Sequence, residues 1–154
     1  MTTSPTEAGG PNAPSRGRSA PRMQIRNRRT AGLTFRADEW AAKKAGAQAA
    51  ARVRAWGHPH LDEHELDTAV GLLVRAAVAD GGRRISLHLA DQDHRILAVA
   101  LSHVTGTAPD DSVLTELASL PGVVACGTDA AADGRRLWVL LDAERPARAA
   151  KSPT

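Results

Sequence analysis

Apolar and polar positions recur with two different periods along this chain, and the switches between them lay out its elements. Over Gly32–Arg36 the alternation has period two, which predicts a short strand. Asp38 then offers a helix cap, and Ala41, Ala45, Ala49, Val53 and Trp56 follow at helical spacing until Gly57 and Pro59 stop the run. Asp62 opens a second helix, with Glu65 three residues on completing an approximate capping box. Leu66, Val70, Leu73 and Ala77 form its apolar stripe up to the break at Gly81 and Gly82. Arg84–Leu89 and Arg95–Leu101 read as two strands joined by a hairpin-like connection at Asp91, Gln92 and Asp93. A polar loop, Thr105–Asp110, leads to a short helix over Ser112–Leu120, ended by Pro121 and Gly122. Val123–Cys126 and Arg136–Leu141 are two more strands around a turn at Asp129–Gly134.

The order strand, helix, helix, strand, strand, helix, strand, strand predicts an α+β fold. Its form is a two-layer α/β sandwich, with a mixed, mostly antiparallel sheet covered on one face by helices. A doubly wound parallel sheet is excluded, because strands do not alternate singly with helices. The 154 residues suffice for one domain. With one Phe and no Tyr, its core must be mostly Leu, Val and Ala around three tryptophans.

Composition changes sharply at the ends. Residues 1–30 are rich in Pro, Gly, Ser and Arg and cannot bury enough apolar surface to offset their ordering entropy. They are expected to form a disordered basic arm, with Met23 as an alternative start to Met1. Residues 144–154 form a second disordered tail, leaving 31–143 as the domain. The arm carries six arginines against Glu7, whereas residues 31–143 carry 11 basic and 15 acidic side chains. A mildly acidic body argues against a domain built to grip nucleic acid, and restricts any such role to the arm. The single cysteine, Cys126, forms neither an internal disulfide nor a cysteine-based zinc site. The longest apolar run, Ile96–Leu101, is far short of a membrane span, and no apolar stretch follows the N-terminal arginines as a secretory signal would require. A cytoplasmic protein is expected.

Several strings along the body resemble the GHKL ATPase domain of gyrase, heat-shock chaperones and histidine kinases, and are most similar to its small anti-sigma-factor serine-kinase branch. They are Thr34–Asp38 (TFRAD), Arg54–Gly57 (RAWG), Gly71–Gly81 (GLLVRAAVADG) and Arg136–Leu140 (RLWVL). The resemblance covers roughly residues 31–142 and implies a Bergerat-like sandwich. In that family a helix glutamate serves as base, and an asparagine one turn later ligates magnesium beside the nucleotide phosphates. The matching positions here are Leu72 and Ala76, which can neither accept a proton nor offer oxygen to a hard cation. The aspartate that binds the adenine amino group is replaced at Ser102 or His103. The glycine-rich phosphate loop is replaced by Thr105–Leu114, where Asp110 and Asp111 would repel phosphate.

The resemblance thus implies a degenerate member that keeps the fold and lacks the ATP chemistry, with no cofactor expected and ATP with magnesium the exception. The expected function is a non-catalytic regulatory protein-binding module, a pseudo-ATPase relative of anti-sigma factors. Its partner would be a sigma factor or other transcription regulator, with homodimerisation as a further expectation. The alternatives are a divergent ATP-binding protein or serine kinase using Ser102 or His103, and a nucleic-acid-associated protein acting through residues 1–30.

Other chemistry-bearing residues add little. His58, His60 and His64 cluster, but Pro59 and the cap at Asp62 separate His60 from the helix, so these are expected to be exposed loop histidines rather than metal ligands. His88 and His94 flank a hairpin and are expected to face solvent. The aspartates fall mostly in turns, no serine sits on a nucleophile turn, and Cys126 reads as a small hydrophobe in an apolar strand. Trp40 and Trp56 lie sixteen residues apart, so at ~100° per residue they point ~160° apart and cannot share one face. Trp40, near the helix start, is the candidate exposed anchor for a partner.

Overall fold

The computed structural model describes residues 29–106 and 112–144. The elements are β1 (Thr30–Arg36), α1 (Ala41–Ala55), α2 (Glu63–Val78), β2 (Arg84–Asp91), β3 (Arg95–Leu101), α3 (Ser112–Ala118), β4 (Val123–Ala131) and β5 (Gly134–Asp142). They form an α+β fold in two layers. Residues 1–28, 107–111 and 145–154 lie outside the description, and with them nearly all of the arm and tail, Met23, Asp110 and Asp111.

The five strands are ordered β1-β2-β3-β5-β4, and all four pairings are antiparallel. The parallel component of the expected mixed sheet is therefore missing, for two topological reasons. Between β1 and β2 the chain makes two helical passes that reverse each other, so β2 returns antiparallel. The unit β3–α3–β4 does carry parallel strands, but β5 is inserted between them and no parallel pair forms.

Strands β1, β2, β3 and β5 send alternate residues into one core, and β4 adds only the half-buried Val123 and Cys126. Ile85, Leu87 and Leu89 of β2, Ile96, Ala98 and Ala100 of β3, and Leu137, Val139 and Leu141 of β5 are buried against the helices. From α2 they meet Leu66, Val70, Leu73, Val74 and Ala77, the stripe legible in the sequence. Helix α1 contributes mostly methyl groups, Ala41, Ala45 and Ala49, with Val53. At Gly46 a Cβ would collide with the Asp67 carboxylate, so the two helices approach as closely as a glycine permits.

Local signals account for the element ends. Asp62 Oδ1 accepts the Glu65 N–H at 3.1 Å and caps α2, as predicted. Asp38 does not cap α1 as expected: it stands two residues before the cap position Trp40, whose N–H it accepts at 2.9 Å, and the helix begins only at Ala41. Strand β1 begins at Thr30 and is preceded by Arg29, whose guanidinium lies 2.8 Å from Asp91, so the expected arm loses its last two residues to the domain. The turn between β4 and β5 shrinks to Ala132 and Asp133, because Asp129–Ala131 pair with Gly134–Arg136. No helix among the described residues is long and apolar enough to cross a membrane.

Candidate functional site

Among the described residues, no cavity is lined by all four positions at which the resemblance would place nucleotide chemistry. Leu72 and Ala76 lie one turn apart on α2 and line a cleft of about 200 Å³ against Ser112, Val113 and Glu116 of α3. That volume falls below the ~300–1,000 Å³ of ordinary small-molecule sites. Both side chains are only partly buried and pack on the edge of the core.

Ser102 and His103 lie elsewhere. Ser102 is fully buried; its Oγ accepts from the Val104 N–H at 3.2 Å, and its backbone N–H donates to the Arg135 carbonyl. His103 turns the other way, with Nε2 2.7 Å from Ser86 Oγ on the side of the sheet opposite the described helices. Its backbone is left-handed, φ 62°, a conformation that histidine tolerates better than branched residues do. Gly134 runs directly against it: a Cβ there would stand 2.6 Å from the His103 nitrogen.

Arg135 occupies the ground between α2 and the end of β3. Its Nε and Nη2 reach the two oxygens of Asp80 at 3.0 and 2.8 Å, and Nη2 lies 3.4 Å from the Ala76 carbonyl. The remaining nitrogen, Nη1, is buried with no hydrogen-bond partner among the described residues. A cation held this way ties the C-terminal end of α2 to the start of β5. The sequence marks Asp80 only as a turn residue and gives no sign of its partner.

A second buried node also escaped the sequence. Asp91 is nearly inaccessible and binds three groups: the Arg29 guanidinium, the His58 ring at 3.1 Å and the Asp93 N–H at 3.0 Å. His58 is therefore not an exposed loop histidine, since its side chain is 8% exposed and tucked under the β2–β3 turn. His60, His64, His88 and His94 are exposed. No group of three or more His, Cys, Asp or Glu side chains capable of holding a metal forms among the described residues.

Three further contacts complete the picture. Glu65 Oε2 accepts the Gly122 N–H at 3.0 Å in a buried bond across 57 positions, fixing the turn after α3 on α2. Arg54, in the last turn of α1, reaches Glu63 in the first turn of α2 at 2.7 Å, each charge favouring its own helix terminus. That hydrogen bond holds the Glu63 carboxyl below its ordinary range, opposed by burial and helped least by the charge of Arg54. Cys126 donates weakly to the Leu114 carbonyl, and burial pushes its thiol pKa up.

Trp40 is 57% exposed, whereas Trp56 packs against the core, so the two indoles separate as their spacing predicts. The described residues define an open-faced α+β sandwich with an ion-pair plug beside α2. No family model matches the chain, and no curated protein matches it.

Proposed function

We propose that this protein is a non-catalytic regulatory module of the cytoplasm that acts by binding another protein. On the resemblance drawn from its sequence, that partner is a sigma factor or another transcription regulator, and the frame is that of a pseudo-ATPase. The observation that carries the reading is the arrangement around α2. Leu72 and Ala76 offer no base and no metal ligand, Ser102 is spent on a backbone bond, and the Arg135–Asp80 pair stands between them. Trp40, an exposed indole at the start of α1, is the proposed anchor for the partner; such aromatics often dominate binding energy.

Thermal melting of the full chain with ATP or ADP and magnesium tests this. A nucleotide at a hundred times its dissociation constant would add about 2.7 kcal/mol, a rise of several degrees. No rise is expected at millimolar nucleotide. A magnesium-dependent rise, or transfer of phosphate from ATP to a sigma-factor regulator, would overturn the proposal.

A further inference from the structure

The sheet has a second face, and no helix among the described residues covers it. Strand register places its outward residues in rows that can be read straight across. One row runs Thr30, Ala90, Leu97, Leu140, Ala125; the next runs Gly32, His88, Val99, Trp138, Gly127. Leu97, Val99, Trp138 and Leu140 therefore form one contiguous apolar block at the centre. All four are partly accessible, while their neighbours Ile96, Ala98, Val139 and Leu141 point into the core.

The face is uneven in a particular way. Toward β5 it rises, because the Trp138 indole lies over Gly127, where a Cβ would stand only 2.8 Å from the ring. Toward β1 and β2 it sinks into a notch of about 330 Å³ lined by Gly32, His88, Ala90, Leu97 and Val99. The charges are equally lopsided. Arg36 and Arg84 stand directly opposite each other at one end of β1 and β2, both exposed and with no ion-pair partner among the described residues. Like charges in that position destabilise a strand pair. Across the sheet, at the same end, lie the exposed Asp133 of the β4–β5 turn and Asp129 of β4, the latter already paired with Arg136 at 2.9 Å.

We infer that two copies of this chain pack sheet face to sheet face about a two-fold axis running along β3. Such an axis exchanges the two sides of the sheet: β5 of each copy lies over β2 of the other, and β4 over β1. The Trp138 and Leu140 ridge then enters the notch at Ala90 and Gly32, twice by symmetry. The unpaired Arg36 and Arg84 come beneath the partner's β4–β5 turn, where Asp133 is the carboxylate not already paired within its own chain. Five strands ~4.8 Å apart and about seven residues long at ~3.3 Å give a face of roughly 24 by 23 Å. Two such faces bury on the order of 1,100 Å², just above the ~1,000 Å² floor for a biological interface and in the range of weak association. The basic arm, residues 1–28, would bring arginines against Arg36 and Arg84 and is the poorer cover for that side of the face. The inference names the surface for the homodimer expected from sequence and does not rest on the proposed partner protein.

Sedimentation of the full chain over a concentration series tests it, with a dimer of micromolar affinity expected. Val99 lies on the axis and meets its own copy, so Val99→Glu sets two carboxylates against each other; Ala90→Arg fills the notch. Each is expected to weaken the dimer at least about a hundredfold while circular dichroism and urea midpoints show a folded chain. A charge exchange guards against mere misfolding: Arg84→Glu and Asp133→Lys should each weaken the dimer about fivefold, and the double variant should regain it. A chain that stays monomeric up to about 1 mM overturns the inference, whether its face is open or covered by residues 1–28. So does a dimer indifferent to Val99→Glu and Ala90→Arg.

Discussion

Arg135 and Asp80 meet edge to edge, Nε and Nη2 against both carboxylate oxygens at 3.0 and 2.8 Å, with side chains only 11% and 4% exposed. Fifty-five positions separate them, so the pair locks the end of α2 to β5 only in the folded chain. Desolvating two charges offsets much of their attraction, and the pair acts more to fix one packing than to add net stability.

Removing one partner is a different matter. Asp80→Ala leaves a buried guanidinium unpaired and should cost about 3–5 kcal/mol in urea unfolding. The double variant Asp80→Leu, Arg135→Met should recover most of that loss. Recovery would show the charge itself, rather than lost packing, to be the source of the penalty.

Gly134→Ala should lower the melting temperature by several degrees, a loss of about 1–3 kcal/mol. Two effects add: its φ of 141° suits glycine, and a methyl group would press on the His103 backbone. Gly57→Ala is the control, since it shares a positive φ with nothing nearby to hit. It should cost less.

The Arg54–Glu63 contact predicts a pH dependence. Because the folded pKa of Glu63 lies below its unfolded value, the contact stabilises the fold above the ordinary carboxyl range, near pH ~4.3. That contribution disappears as pH falls through the folded pKa. In Arg54→Ala, nuclear magnetic resonance titration should find the Glu63 carboxyl back in the ordinary range.

Cys126 should react slowly. Burial raises its pKa, so little thiolate exists near neutrality, and the thiolate is the nucleophile. Labelling with a thiol reagent at pH 8 should be slow in the native chain and fast in urea, with a rate that climbs as pH is raised further.

Most of the described elements were legible because each buries a face with its own period. The edges were less so. Asp129–Ala131 and Gly134–Arg135 look like a turn because they are small or polar, yet they pair as strand; an outermost strand shows no apolar alternation to betray it. At the site, Leu72 and Ala76 could be placed on one helix face from spacing alone. The role of Arg135 could not, since nothing local distinguishes it from Arg136, which points outward to Asp129. Likewise His58 became a buried partner of Asp91 only through a contact 33 positions away, where its neighbours Gly57 and Pro59 suggest a solvated loop.

Strand β4 ends the sheet, and its register slips between Val123 and Ala125, leaving Val124 exposed. An unbroken outer strand offers its free amides and carbonyls as a template on which further chains can grow. The slip interrupts that template, and at the opposite border Arg36 and the glycine at position 32 make β1 a poor one. Edge-to-edge, fibre-like growth is thus obstructed at both borders of the described sheet.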